Sequence, residues 1–321
     1  CCECYQCVEA CQAQAVDHDM TDRWMDIKVG SIILASGFQP YDPALHDTYH
    51  YGRYPNVVTS LEFERILSAS GPTMGHLRRP SDDKEPKKIA WLQCVGSRDT
   101  NKCGNGYCSS VCCMYAIKDA MIAKEHSDGD LDCAVFYMDI RSYGKDYEKY
   151  YNRAKDREGV RFIKSRVHSI YEDPDTRELN LVYADESGRM MEEIFDMVVL
   201  SVGLQASEST IALANRLEID LNRYNFIDTD SFAPVATSRL GVYTCGSLQG
   251  PKDIPTSVTE ASAAAGAAGA VVAAARGRDT KSLDIPDEID VSAAEARIGV
   301  FVCNCGINIG AVVDVPAVRE Y

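Results

Sequence analysis

The chain has 321 residues, of which 45% are hydrophobic and 25% are charged, and its formal net charge is −15. This length is enough for one large or two ordinary domains with buried cores. The acidic residues are spread along the chain, which argues against a duplex nucleic-acid partner, since phosphates need clustered lysine and arginine. We find no apolar run long enough to span a membrane and no secretory signal.

Cysteine is the unusual feature of the composition, with 14 residues in the chain. Five lie within residues 1–11 and five within residues 94–113. Clusters of this kind in a long chain are more typical of metal binding than of a disulfide framework. We therefore predict a reducing compartment and take it to be the cytoplasm.

The N-terminal segment, residues 1–28, begins with the spacing C-x2-C-x2-C-x3-C. Bacterial ferredoxins use this spacing to hold a [4Fe–4S] cluster, and their last cysteine can bind a second cluster. A zinc loop is the alternative, although zinc sites usually show two separated pairs. Cys2 is left over from the pattern. The predicted ligands are Cys1, Cys4, Cys7 and Cys11.

A buried strand is predicted over residues 29–38, and its end carries the small-residue turn Ala-Ser-Gly at 35–37. A short helix is predicted over residues 60–67, with Ser60 as its N-cap. Residues 71–87 have the glycine, proline and charge content of a linker.

Strands and helices alternate over residues 88–200, which argues for a parallel sheet. The helices are predicted at 114–126 and 145–158. The strands are predicted at 88–92, 132–138, 161–163, 167–171, 179–183 and 196–203.

The loop between the first of these strands and the first helix is rich in cysteine. A strand, a tight loop and a helix begin a dinucleotide-binding unit, in which glycines let a pyrophosphate approach the helix N-terminus. Here the loop carries Cys94, Cys103, Cys108, Cys112 and Cys113 instead. A helix start has a partial positive charge that favours thiolate ligands.

The C-terminal part begins with a strand and turn at 241–247, followed by a helix at 257–276 that is rich in alanine and glycine. Small residues let a helix pack closely on a sheet or on a flat cofactor, and a tightly packed core helix explains them equally well. Residues 279–295 read as an acidic linker, and 298–303 as a new apolar strand. We expect both ends to continue into a longer polypeptide.

The order of these pieces resembles that of thioredoxin-reductase-like flavoproteins, and more narrowly that of the family formed by the A subunits of heterodisulfide reductases. The resemblance rests on four stretches of sequence: YPNVVTSLEFER at 54–65, QCVGSRD at 93–99, YCSSVCCMYAIK at 107–118 and GPKDIP at 250–255. The similarity covers roughly residues 1–278. RIGVFVCNCGINIG at 297–310 looks like the start of a second module of the same family.

The resemblance implies an α/β fold, a two-dinucleotide-domain flavoprotein core with a truncated ferredoxin-like segment at its N-terminus. The implied organisation is a ferredoxin-like segment at 1–28, part of an FAD-binding domain and a linker at 29–85, an NAD-domain-like unit with an iron–sulfur site at 86–203, the rest of the FAD-binding domain at 204–278, a linker at 279–296 and a second module from 297. The glycine-rich turn for the FAD pyrophosphate is expected before Cys1.

The resemblance also implies the cofactors, FAD and [4Fe–4S] clusters. The non-standard cluster would be held by Cys94, Cys108, Cys112 and Cys113, with Cys103 the poorer candidate and the roles of Cys303 and Cys305 open. This cluster would exclude NAD(P). The residues implied for FAD are Ala35, Ser36, Gly37, Gly246, Ser247, Lys252, Asp253 and Ile254. Related flavoproteins usually carry Gly-Asp where this chain has Gly246 and Ser247.

Lys118 is the implied catalytic residue, placed by the resemblance near the flavin ring. A cation there would stabilise a reduced, anionic flavin. A solvated helix lysine is the alternative, because exposed lysines are common on helices.

The implied function is electron transfer within a heterodisulfide-reductase-like complex, as an oxidoreductase component that can perform flavin-based bifurcation. Its partners would be the other subunits, ferredoxin or a similar one-electron carrier, and a hydrogenase- or dehydrogenase-type donor. One alternative is an NAD(P)-linked flavoprotein disulfide reductase, which needs a redox-active C-x-x-C outside the ferredoxin run. The other is a scaffold that holds clusters without flavin.

Overall fold

The computed structural model describes residues 3–127, 129–278, 280–304 and 309–321. The chain divides into two compact units, Cys1–Ala275 and Arg276–Tyr321. The described strands are β1 (Ile32–Leu34), β2 (Gln39–Pro40), β3 (Val57–Thr59), β4 (Lys88–Val95), β5 (Asp132–Tyr137), β6 (Arg161–Lys164), β7 (Ser169–Glu172), β8 (Leu179–Ala184), β9 (Met190–Phe195), β10 (Met197–Val202), β11 (Leu204–Gln205) and β12 (Val242–Thr244). The described α-helices are α1 (Gln6–Ala10), α2 (Ser60–Leu67), α3 (Cys112–His126), α4 (Tyr147–Asp156), α5 (Glu208–Arg216), α6 (Ile254–Val271) and α7 (Val315–Glu320).

Five strands form a parallel sheet in the order β3-β10-β4-β5-β6, as the alternation of strands and helices predicts. All six residues of β10 are buried, which is typical of a strand covered on both faces. On one face the sheet packs against α2 and α3, where the rings of Phe63 and Trp91 meet edge to face at 5.4 Å. Because α3 packs on this face, its first turn lies beside the end of β4.

The other face of the sheet is covered by a feature that the sequence did not indicate. β7, β8 and β9 form a three-stranded antiparallel sheet, so the expectation that the strands at 167–171 and 179–183 join the parallel sheet is wrong. In β8 the residues alternate between buried and less buried, as expected for a sheet with one covered face. Phe136 of β5 and Phe195 of β9 join the two layers at 5.9 Å.

Helix α2 begins where it was predicted, but its cap is one residue earlier. Thr59, not Ser60, is the N-cap, and its hydroxyl accepts a hydrogen bond from the Glu62 backbone N–H. The Glu62 carboxylate accepts from the Thr59 backbone N–H at 2.7 Å, which completes a capping box. Ser60 is instead buried as the first helical residue.

The segment predicted as a linker, 71–87, is tied to the sheet by a buried arginine. Only 5% of the Arg79 side chain is exposed, and its guanidinium donates to Asp82, to Asp196 and to the Thr176 carbonyl. Asp196 also accepts from the backbone N–H groups of Lys87 and Lys88, at the start of β4. The segment therefore holds a fixed position beside the sheet.

β1 and β12 pair in parallel, with Leu34 opposite Thr244, although they lie far apart in the chain. Helix α6 follows, and its N-cap is Asp253, whose carboxylate accepts from the Thr256 backbone N–H at 2.9 Å. Within this fully described helix only Ala264 is buried, so the alternative of a tightly packed core helix is not supported.

The smaller unit contains α7, which is capped by Asp314 through the Ala317 backbone N–H. The apolar strand expected at 298–303 is wrong: these residues form no strand, and Ile298, Val300 and Phe301 are exposed. Residues 298–303 are mostly apolar, but no strand of the described chain pairs with them. No helix among the described residues is long and apolar enough to cross a membrane.

Candidate functional site

Cys94 is the second-last residue of β4, and a tightly packed turn begins at Gly96. The φ of Cys94 is 61°, in the left-handed region that residues other than glycine rarely adopt. A Cβ added to Gly203, at the end of β10, would lie 2.7 Å from Ser109 Oγ and 3.1 Å from the Gly96 carbonyl oxygen. The absence of a side chain at Gly203 lets the cysteine loop approach the strand ends.

Cys112 and Cys113 are the first two residues of α3 and are both buried. The N-cap, Val111, provides no side-chain hydrogen bond. The partial positive charge of the first turn is therefore available to anionic ligands.

The sulfurs of Cys94, Cys108, Cys112 and Cys113 lie within electrostatic range of one another. Burial raises the pKa of Cys112 to about 12 and that of Cys113 to about 11, and the charges of the neighbouring thiolates add to both shifts. Burial also raises the pKa of Cys94, with a further contribution from Cys108. A cation bound to these thiols would stabilise them in the deprotonated form by replacing their protons.

Two arginines surround this set and were not singled out from the sequence. Arg98 forms an ion pair with Asp139, and Arg141 Nε lies 3.4 Å from the same carboxylate. The charge of Arg98 lowers the pKa of Cys94, which opposes the effect of burial. The hydrogen bond to Asp139 raises the pKa of Arg141, and the nearby Cys108 sulfur adds to this shift. The only signal in the sequence was the position of Arg98 within the QCVGSRD stretch.

Cys103 has different neighbours. Its Sγ–H donates to the Asp99 carbonyl at 3.1 Å, and it packs against the core cluster that contains Tyr41. None of the eleven described cysteines forms a disulfide.

Across the described ranges, no three histidine, cysteine or carboxylate side chains are arranged to bind a single metal ion. A four-iron cluster requires a wider arrangement, because each thiolate binds a different iron.

Most of the described N-terminal cysteines are exposed. Cys1 lies outside the described residues, Cys4 and Cys7 are exposed, and Cys11 is half-buried. Cys7 Sγ lies 3.3 Å from His18 Nε2, a contact that the sequence did not suggest. A hydrogen bond from the Ala15 backbone N–H lowers the pKa of Cys11.

The residues predicted to hold FAD come together at the ends of β1 and β12. Ala35, Ser36 and Gly37 follow β1, and the Ser36 hydroxyl lies 3.0 Å from that of Thr210. Gly246 follows β12 with a φ of 72°, and its backbone N–H donates to Glu260 at 2.8 Å.

Glu260 also fixes the lysine predicted for the flavin. Lys252 Nζ lies 2.6 Å from both carboxylate oxygens of Glu260 and 2.9 Å from Gln249 Oε1. Glu260 gave no signal in the sequence, since it lies within the alanine-rich helix.

A cavity of about 400 Å³ lies between these strand ends and the cysteine helix. Four of the residues predicted for FAD line it, whereas Ala35, Ser36, Gly37 and Gly246 do not. Val111 and Tyr115, from the start of α3, line it from the other side. The lining residues are Phe38, Pro40, Ser60, Leu61, Glu64, Val111, Tyr115, Val202, Leu204, Ser247, Lys252, Asp253, Ile254 and Ser257.

Lys118 is connected to this cavity by an ion pair with a lining residue. Its Nζ forms an ion pair with Glu64, which lines the cavity, and Lys118 itself is not among the lining residues. Burial would lower the pKa of Lys118, but the hydrogen bond to Glu64 and the charges of Asp119 and Glu64 outweigh it and raise that pKa. The side chain is 40% exposed, so it is neither free in solvent nor fully buried.

A parallel α/β sheet, a parallel strand pair and a cavity between them are the arrangement expected of proteins built on dinucleotide-binding units. The chain belongs to the pyridine nucleotide-disulphide oxidoreductase family, whose sequence profile matches residues 5–265. Membership of this family confirms the predicted oxidoreductase class and the two-dinucleotide-domain type of fold, and it implies flavin binding.

Curated relatives confirm the narrower resemblance to the A subunits of heterodisulfide reductases. The A subunit of the H(2)/formate:CoB-CoM heterodisulfide,ferredoxin reductase of Methanococcus maripaludis is 46% identical over 79% of this chain and 39% of the relative. The iron-sulfur A subunit of the CoB–CoM heterodisulfide reductase of Methanocaldococcus jannaschii is 43% identical over 83% of this chain and 41% of the relative. The chain thus spans about two fifths of the length of these relatives.

A solved structure, the thioredoxin reductase of T. acidophilum, aligns with a TM-score of 0.48 and 17% identity over 74% of this chain and 64% of that protein.

Proposed function

We propose that this chain is the electron-transfer part of the A subunit of a heterodisulfide-reductase-like complex, with FAD and [4Fe–4S] clusters as its cofactors. One observation carries the proposal: the helix that begins with Cys112 and Cys113 also lines the cavity that contains Lys252 and Ser247. Electron transfer between two cofactors requires them to be close, and this helix brings the two sets of residues together.

Cys94, Cys108, Cys112 and Cys113 are the proposed ligands of one cluster. Arg98, Arg141 and the first turn of α3 would offset the negative charge of the bound thiolates. Cys1, Cys4, Cys7 and Cys11 remain the proposed ligands of the N-terminal cluster.

The cavity is the proposed site of the flavin ring, with Ser247, Lys252, Asp253 and Ile254 along its wall. Ala35, Ser36, Gly37 and Gly246 would hold the rest of FAD at the adjoining strand ends. Bound there, FAD would exchange electrons in pairs, whereas iron–sulfur clusters exchange them singly. Lys118 and Glu64 would set the local charge, and the tight Lys252–Glu260 pair would position Lys252.

The proposed partners are the other subunits of the complex, a ferredoxin-type carrier, and a hydrogenase- or dehydrogenase-type donor. The M. maripaludis relative is named for hydrogen, formate and ferredoxin, which supports this choice. Flavin-based bifurcation, a cytoplasmic location, the six-part domain organisation and a second module after residue 297 belong to the same proposal.

The direct test is cofactor analysis of the chain within its full-length protein, prepared anaerobically. We expect FAD, and up to about eight iron and eight sulfide per copy of this region, as two [4Fe–4S] clusters require. Iron without flavin would favour the scaffold alternative, and zinc in place of iron would contradict the proposal.

We predict that nicotinamide nucleotides do not bind in the unit formed by residues 88–200. The strand–helix turn that would accept a pyrophosphate is filled by cysteines, and no GxGxxG is present there. Calorimetry with NADH and NADPH should give no binding, and neither should bleach the flavin without partner proteins. Tight binding with direct bleaching would favour the NAD(P)-linked disulfide reductase alternative.

We predict that Lys118→Ala lowers the midpoint potential of the bound flavin. Removing a nearby cation disfavours a reduced, anionic flavin, and a fall of about 30 mV in a two-electron midpoint corresponds to about 1.4 kcal/mol. An anaerobic redox titration measures the shift. Lys124→Ala is the matched control, because Lys124 lies on the same helix but donates to the Leu131 carbonyl. Equal midpoints for wild type and Lys118→Ala, with iron content unchanged, would contradict an effect of Lys118 on the flavin.

A further inference from the structure

Asp119 is a buried carboxyl group that the proposed function does not use. It lies on α3 next to Lys118, and its side chain is 0% exposed. Neither carboxyl oxygen has a hydrogen-bond partner among the described residues. Lys118 Nζ lies 3.6 Å from Oδ1, just beyond hydrogen-bond distance. A buried carboxylate without hydrogen bonds is strongly destabilised, so this position favours a neutral acid.

The charges around Asp119 point the same way. The titratable groups that face it are Glu64 from α2, Tyr150 from α4, and Lys118 and Tyr115 from α3. Lys118 is the one cation of this set, and it is already paired with Glu64. If both carboxyl groups were ionised, the Glu64–Lys118–Asp119 cluster would carry a net charge of −1, and the charge of Asp119 would be fully buried. A proton on Asp119 makes the cluster neutral.

We propose that Asp119 is a proton-holding residue that acts on the cavity through Lys118. When Lys118 passes a proton through the Glu64 carboxylate, which lines the cavity, to an organic nitrogen base bound there, the O–H bond of Asp119 breaks and a new N–H bond forms at Lys118 Nζ. Asp119 is then a carboxylate paired with the restored ammonium group, and no electrons are exchanged in the step. This inference rests on the proposed function, because it needs a proton-accepting ligand in the cavity.

The expected protonation of Asp119 agrees with this role. Burial raises the pKa of Asp119 to about 8, the charge of Glu64 raises it further, and the charge of Lys118 opposes the shift. The acid is therefore protonated at neutral pH and loses its proton as the pH rises through about 8. Because Glu64 and Lys118 both contribute to the pKa of Asp119, a change at either residue is expected to move that pKa.

Infrared difference spectroscopy of the full-length protein between about pH 6 and pH 9.5 tests the protonation directly. We expect a protonated-carboxyl band at low pH that is lost with a midpoint near 8 and is absent from Asp119→Asn. Glu64→Gln should lower that midpoint by removing the charge that holds the proton on Asp119. A wild type without the band, a band that persists in Asp119→Asn, or a midpoint unmoved by Glu64→Gln would overturn the proposal.

A redox readout separates this proposal from the proposed function. The flavin midpoint of the wild type should change its pH dependence near pH 8, and Asp119→Asn should remove that change. If FAD binds and the change persists in Asp119→Asn, the role of Asp119 is refuted while the proposed function stands. If the wild type binds no FAD, the proposed function fails, and the infrared titration still decides whether Asp119 holds a proton.

Discussion

Replacing Cys112 with serine is expected to remove one entire iron–sulfur cluster, about four iron and four sulfide per chain. Cys112 is buried at the start of α3, where its sulfur interacts with those of Cys113, Cys94 and Cys108. A serine hydroxyl ionises far less readily than a thiol and is a poor ligand for iron–sulfur clusters. Iron and sulfide analysis of anaerobically prepared protein measures the loss, and the flavin content should be retained.

Cys133→Ser is the matched control for this experiment. Cys133 is also buried, in β5, but its Sγ–H faces the Ala120 carbonyl at 3.6 Å and is remote from the cysteine loop. The iron content of this variant should equal that of the wild type. Cys103→Ser should also retain iron, since Cys103 donates to Asp99 instead. A Cys112→Ser protein with full iron content would contradict the assigned ligand set.

Replacing Arg79 with alanine is expected to lower the free energy of unfolding by about 3–5 kcal/mol, the range for breaking a buried ion pair on one side. Arg79 is 5% exposed and makes hydrogen bonds to Asp82, Asp196 and the Thr176 carbonyl. Its loss would leave Asp196 and Asp82 without their buried cation. Urea unfolding followed by circular dichroism measures the change.

Lys84→Ala tests whether burial or charge decides the size of this effect. Lys84 Nζ lies 3.0 Å from the same Asp82 carboxylate, but the lysine side chain is 75% exposed. An exposed ion pair contributes only about 0–1 kcal/mol, so this variant should be nearly as stable as the wild type. If Arg79→Ala and Lys84→Ala lowered the free energy of unfolding by similar amounts, the buried hydrogen bonds of Arg79 would not be the cause of its contribution to stability.

The parallel sheet was predictable because each of its central strands is a continuous apolar run. The residues of β10 are all buried, and such runs between helices indicate strands covered on both faces. The pairing of β7, β8 and β9 was not predictable in this way, since a strand's own sequence does not specify its partner. The expected strand at 298–303 failed for the same reason: an apolar pattern gives a tendency, and a strand also needs a neighbour.

The four cysteines of the set were named from the family resemblance; they lie within one short stretch of chain, and their role as cluster ligands stays a prediction. Asp139, Arg141 and Glu64 were missed, since they come from other elements and reach the site only through the fold. Asp119 gave no signal either, because an aspartate on a helix is usually at the surface. Its burial depends on how α2 and α4 pack around α3.

The left-handed backbone of Cys94 has a consequence for how sequences of this kind can vary. A φ of 61° costs a residue with a side chain about 1–2 kcal/mol, whereas glycine adopts it freely. Selection for stability alone would therefore replace Cys94 with glycine, and only a demand for the thiol opposes that drift. Under the proposed function, backbone conformation and cluster binding compete at this position, and Cys94→Gly would relieve the backbone cost at the expense of the cluster.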